Sequence, residues 1–143
     1  EVMKQLGAEH VMVVHSKDGL DEISLASSTY VAELKNGEIT EWMITPEEVD
    51  IESQTLTGLI VDGSAESLAL IKDALGKKKS AIGEKAANMI ALNAGAGIYV
   101  AGITKTYKQA VEFAQDILYG GQALEKMSIL AEFTKTLKQY QAD

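Results

Sequence analysis

Every segment that reads as strand lies before Thr45, and everything of regular character from Ser64 onward reads as helix. Two β segments followed by consecutive helices call for a partial sheet with helices packed on it. The first segment, Glu9 to Ser16, carries the run Val11-Met12-Val13-Val14. A continuous apolar run with β-branched residues predicts a strand buried on both faces, as in a parallel sheet. It ends in the turn-rich Ser16-Lys17-Asp18-Gly19, and the carboxyl ends of strands are where open α/β sheets tend to bind ligands. The second segment is a hairpin. Tyr30 to Lys35 and Glu38 to Ile44 flank Asn36-Gly37, the favoured type I′ dipeptide. That turn pairs Leu34 with Ile39, Ala32 with Glu41 and Tyr30 with Met43 on a mostly apolar face. Lys35 with Glu38 and Val31 with Trp42 fall on the other. A hairpin and one strand make a poor sheet alone. The expected class is α/β, a partial mixed sheet followed by packed helices, within a larger domain.

Helical spacing organises the remainder. Thr45-Pro46-Glu47-Glu48 suits a short turn with Thr45 as N-cap and Pro46 at N1. A helix from Gly63 or Ser64 to about Leu75 places Leu68, Ile71 and Leu75 on one side, and Gly76 stops it. A second covers about Ala81 to Val100, rich in Ala and Gly, which costs propensity but permits close backbone approach. A third starts at Thr104 or Thr106, with Tyr107, Ala110, Val111, Ala114, Ile117 and Leu118 in step, and breaks at Gly120-Gly121. A fourth, about Gln122 to Gln139, turns Leu124, Met127, Leu130, Ala131 and Leu137 inward. Glu1 to Gly7 reads as the last turns of a helix closed by a C′ glycine, with its start expected upstream. No repeat, low-complexity segment or flexible linker interrupts the chain.

Composition narrows the function. The 143 residues suffice for one core. There is no signal-peptide pattern and no apolar run able to span a bilayer. Cysteine is absent, which removes disulfides and thiolate metal sites and permits a cytosolic location. The formal net charge is −8 and all 13 basic residues are lysines. The one basic run, Lys77-Lys78-Lys79, suits a solvated inter-helix loop, so nucleic-acid binding is not expected. With no arginine, the usual fork for phosphates and carboxylates is missing, and much of any anion recognition must come from elsewhere.

Specific strings go further. Leu6-Gly7-Ala8-Glu9-His10 leads into Val13-Val14-His15-Ser16-Lys17-Asp18-Gly19-Leu20-Asp21-Glu22-Ile23-Ser24. Later stand Leu92-Asn93-Ala94-Gly95-Ala96-Gly97-Ile98-Tyr99-Val100-Ala101-Gly102 and Gly121-Gln122-Ala123-Leu124-Glu125-Lys126. In this order they resemble the C-terminal part of the anthranilate phosphoribosyltransferases, over nearly the whole chain but only the last portion of that family's length. The resemblance implies a helical N-terminal domain beside a large α/β domain, usually in a homodimer. Residues 1–143 would be the C-terminal segment of that α/β catalytic domain. The family moves phosphoribose from phosphoribosyl pyrophosphate to anthranilate, releasing pyrophosphate, in tryptophan biosynthesis in the cytoplasm. It also implies Mg²⁺, held at the pyrophosphate by an Asp-Glu pair that falls on Asp21 and Glu22. No other metal or catalytic residue is assigned by it. The family's Gly-Thr-Gly-Gly-Asp loop, its second phosphate loop and its anthranilate-holding arginine have no counterpart in this chain. The chain alone is therefore expected to be inactive. Two adjacent carboxylates on a bent loop suit Mg²⁺, which takes one or two carboxylates plus substrate phosphates. A pyrimidine nucleoside phosphorylase of similar architecture is an alternative, opposed by the carboxylate string. A non-catalytic nucleic-acid-binding relative is another, opposed by the charge.

Each candidate also has a plainer role. An Asp-Glu dipeptide is commonly just solvated charge. His15 is either a group near phosphates or a hydrogen-bonded strand end. Asp18 is either a partner of the metal ligands or, the commoner role, a turn former. Ser16 stands where the resembled family often has glycine, which bears on loop shape. Asn88 and Asn93 either touch ligand or bond nearby backbone. Trp42 suits cross-strand packing with Val31. The cluster Glu47-Glu48-Asp50-Glu52 suits a solvated surface loop.

Overall fold

The computed structural model describes residues 1–140. Three strands, β1 (His10–Ser16), β2 (Thr29–Lys35) and β3 (Glu38–Ile44), precede a 3-10 turn at Pro46–Val49. Helices are α1 (Val2–Gln5), α2 (Ser64–Leu75), α3 (Ala81–Val100), α4 (Tyr107–Gly120) and α5 (Gln122–Tyr140). α1 closes as a C′ glycine dictates: Gly7 takes φ +82° and the Ala8 amide reaches the Met3 carbonyl at 3.0 Å.

The hairpin has the expected register, with Leu34 opposite Ile39, Val31 opposite Trp42 and Lys35 opposite Glu38. Asn36 and Gly37 both take positive φ, 53° and 80°, as a type I′ turn requires. β1 departs from expectation. It pairs antiparallel with β2, from His10 opposite Lys35 to Ser16 opposite Thr29, so the sheet is wholly antiparallel in the order β1-β2-β3. Nor is β1 buried on both faces, since Val13 is 59% exposed. Its even positions Met12, Val14 and Ser16 turn toward the helices, while 11, 13 and 15 stand on a face that no described helix beyond α1 approaches. Hydrophobicity at every position marks a strand with two apolar faces; it does not say what covers each.

The mostly apolar face of the hairpin is likewise the open one, with Tyr30 and Met43 exposed. The face on the helices carries Thr29, Val31, Glu33, Trp42 and Ile44. The core joins Ile23, Leu25, Val31, Ile44 and Ile51 to Ala87, Ala91, Leu92, Val111 and Leu118. α3 is its axis, packed on α2, α4 and β1. Gly95 lets α4 close in: a Cβ there would lie 2.6 Å from Val111 Cγ2. The Ser80 and Thr106 hydroxyls cap α3 and α4 by accepting from the Gly83 and Gln109 amides.

Two helix faces differ from their sequence reading. In α2, Leu70 and Ala74 face inward beside Leu75, while Leu68 and Ile71 are exposed. Apolar residues at 68, 70 and 71 fit two overlapping stripes, and contact with α3 selects one. In α5 Ala123, Leu124 and Met127 are half-buried, while Leu130, Ala131 and Leu137 face solvent. The helix leaves the core after its first turns against α4 and α2. No helix among the described residues is long and apolar enough to cross a membrane.

Candidate functional site

β1 ends at Ser16, and the chain then makes a folded excursion to Thr29. Its base is closed by backbone: the Ser16 amide donates to the Leu20 carbonyl and the Lys17 amide to the Ser28 carbonyl, both at 2.9 Å. Gly19, at φ +93°, supplies the left-handed step. Asp21 and Glu22 follow in bent backbone, as a pair of neighbouring carboxylates on one loop requires. Both are exposed, and neither carboxylate has a hydrogen bond or ion pair among the described residues. Immediately afterwards Ile23, Ser24 and Leu25 are fully buried.

Two devices hold this excursion. The first is Asp18. Its carboxylate accepts from the Ser16 hydroxyl, from the Ser24 hydroxyl at 2.5 Å and from the Leu20 amide at 3.4 Å. Partial burial works to raise the Asp18 pKa, but those donors, chiefly the two hydroxyls, hold it below the ordinary carboxylate value. The second is Asn93 on α3. Its Oδ1 accepts from the Ile23 amide at 2.9 Å, and its Nδ2 donates to the Ile23 carbonyl at 2.9 Å and to the Met89 carbonyl at 3.0 Å.

Two unpaired carboxylates at a strand end fit a hard, oxygen-loving cation. No three His, Cys, Asp or Glu side chains gather into a complete cage among the described residues.

Residues 1–124 match the family described as "Glycosyl transferase family, a/b domain". The chain belongs to this family. An anthranilate phosphoribosyltransferase of Acinetobacter baumannii (strain ATCC 17978) is 82% identical over all 143 residues, which make up 41% of that protein. The chain thus spans about two fifths of the length of such curated relatives. The crystal structure of anthranilate phosphoribosyltransferase from Thermus thermophilus is 32% identical, with a TM-score of 0.80 over 93% of this chain and 38% of that one. The enzyme from Saccharomyces cerevisiae in complex with PRPP and Mg shares the fold at 19% identity, with a TM-score of 0.70 over 83% of this chain and 33% of its own.

Within this glycosyl transferase domain the other candidates sort plainly. Asp18 is a turn former whose donors include two buried serines. His15 is exposed on the open face and makes no side-chain hydrogen bond among the described residues, so the bonded strand-end role is not realised. Trp42 lies opposite Val31 and packs on the core. The acidic cluster is more than solvated charge. Glu48 accepts from the Thr45 amide at 2.8 Å, Glu47 accepts from the Ser53 amide at 3.1 Å, and Asp50 pairs with Lys108 at 2.7 Å. Lys79 is not free either, since its ammonium donates to the Gly76 and Leu118 carbonyls. Sequence reading missed a network at the far end of β1. There Glu33 accepts from Tyr99 at 2.8 Å and meets His10 at 2.8 Å, and Lys35 donates to Tyr99 at 2.9 Å. The inward polar position in β2 was its only signal.

Proposed function

We propose that the chain is the C-terminal segment of the α/β catalytic domain of an anthranilate phosphoribosyltransferase. The full-length parent would transfer phosphoribose from phosphoribosyl pyrophosphate to the amine of anthranilate, with Asp21 and Glu22 holding Mg²⁺. The observation that carries this is the pair itself: two adjacent exposed carboxylates, free of protein partners among the described residues, on a loop pinned on both sides at the end of β1. The family and the 82% identical relative supply the reaction class. The yeast structure, which shares the fold, holds PRPP and Mg.

The division of labour follows from charge. Bound Mg²⁺ would neutralise the departing diphosphate as a Lewis acid. The chain's own part is to present two carboxylates without competing ion pairs and to keep their loop from moving. The net charge of −8 gives it little direct attraction for a polyanion. The resemblance also implies a homodimeric, cytoplasmic parent.

The test is Asp21→Asn in the full-length parent. Metal charge stabilisation is worth several kcal/mol, so turnover should fall about a hundredfold or more. Circular dichroism and thermal unfolding should stay near those of the unaltered protein, because the Asp21 carboxylate makes no hydrogen bond or ion pair among the described residues. Near-normal turnover would reject the metal role.

A further inference from the structure

Asn93 sits near the middle of α3, where an asparagine is a poor helix former. Its amide makes three hydrogen bonds, two of them to one residue 70 positions earlier. Ile23 is 1% exposed, so its backbone groups have no recourse to water, and among the described residues Asn93 is the partner of both. The Ile23 amide belongs to the peptide unit that joins it to Glu22. That peptide plane contains the Glu22 Cα, so holding the amide holds the plane from which the Glu22 side chain departs, and the second bond, to the Ile23 carbonyl, holds the next peptide plane.

At the other end of the short stretch, Asp18 ties Ser16 to Ser24. Only Gly19, Leu20, Asp21 and Glu22 lie between these anchors. α3 is itself held, by the close approach of Gly95 to Val111 and by the Tyr107 hydroxyl on the Leu92 carbonyl at 3.0 Å. The clamp therefore ties the loop to the helix at the centre of the core.

We propose that Asn93 is a positioning residue for the Asp21–Glu22 pair: its two-point grip on Ile23 holds the loop in the shape in which both carboxylates meet one divalent cation. The inference rests on the metal reading above. It differs from a purely structural contact in what it changes. Loss of a structural contact lowers stability; loss of a positioning contact lowers cation affinity in protein that is still folded.

The experiment uses the full-length parent, with Mn²⁺ as the probe, titrated by electron paramagnetic resonance in the presence of inorganic pyrophosphate. Partners that orient metal ligands are typically worth about 10- to 100-fold in affinity. Asn93→Ala should therefore weaken Mn²⁺ binding by about tenfold or more. Hydrogen exchange should quicken in residues 17–28, most at the Ile23 amide, with the KM for anthranilate unchanged. Should Asn93→Ala fail to fold, Asn93→Gln replaces it, a better helix former whose amide is displaced by one methylene. The same two effects are expected from it. Unchanged Mn²⁺ affinity in either folded variant overturns the proposal, as does weakened affinity without faster exchange in the loop. Asp21→Asn, titrated alongside, judges the underlying reading: if it binds Mn²⁺ normally, the metal assignment itself fails, whatever Asn93 does.

Discussion

Asp18 shows how much one carboxylate can organise. Three donors converge on it, two from buried serine hydroxyls, and together they outweigh the burial that opposes its charge. Its folded pKa is depressed, so the folded state binds fewer protons than the unfolded chain as pH drops through the carboxylate range. The resulting stability is present above the unfolded pKa and is lost as pH falls through the folded one. Asp73 and Glu47 are depressed in the same sense by bonds from Ser80 and Ser53, so they share the acid limb. Asp18→Asn should remove only its own share. Urea midpoints of the metal-free protein should differ most between variant and unaltered chain near neutral pH, and the gap should close in strong acid. A constant gap across pH would mean that shape, not charge, is what Asp18 contributes. The turn role was legible from Ser16-Lys17-Asp18-Gly19, because such turns depend on local chemistry. Asn93 was legible only as a polar residue on an apolar helix, since its partner is a backbone that folding alone brings near. Asp21 and Glu22 carry no local mark, and the surrounding family strings single them out.

Among the elements, the hairpin was readable to the residue, because a two-residue turn and a period of two leave one register. The orientation of β1 was not, since an apolar run is the same whether its neighbour runs parallel or antiparallel. The bounds of α3 were legible from its caps, but its tightest contact is a matter of one glycine. A methyl at Gly95 would lie 2.6 Å from Val111 Cγ2 and 3.0 Å from both its Cα and its N. The side-chain atom alone could yield by rotation; the backbone atoms yield only if α3 and α4 move apart. Gly95→Ala gains about 1 kcal/mol of helix propensity, against about 1–3 kcal/mol for overpacking. We expect net destabilisation. Gly97, two residues on in the same helix, has nothing within 4 Å of its would-be Cβ. Gly97→Ala should therefore stabilise, by up to about 1 kcal/mol. Opposite signs in chemical denaturation would separate packing from propensity within one helix; equal signs would refute the close-approach account.

For the molecule as a whole, charge and coverage set what it can do alone. A diphosphate leaving group needs cations around it, and this chain offers a net charge of −8, no arginine, and a lysine run whose last member is bound to backbone carbonyls. The Asp21–Glu22 pair, proposed to hold the metal, itself repels phosphate unless a metal intervenes. Metal bridging without a second grip on the phosphates leaves the donor tethered at one end and its reactive carbon unoriented, and orientation supplies much of the rate in such transfers. The isolated 143-residue chain, given anthranilate, phosphoribosyl pyrophosphate and Mg²⁺, should therefore show no measurable turnover, while the full-length parent is active. Coverage complicates the assay. Val13, Tyr30 and Met43 leave one sheet face apolar and open, and Phe133 is 59% exposed on α5, so concentration-dependent association is expected. The comparison belongs at dilutions where sedimentation shows a single small species, so that silence reflects missing chemistry and not a buried site. Turnover from that species would show that the carboxylate loop and its lysines suffice to grip the donor, and would overturn the charge argument.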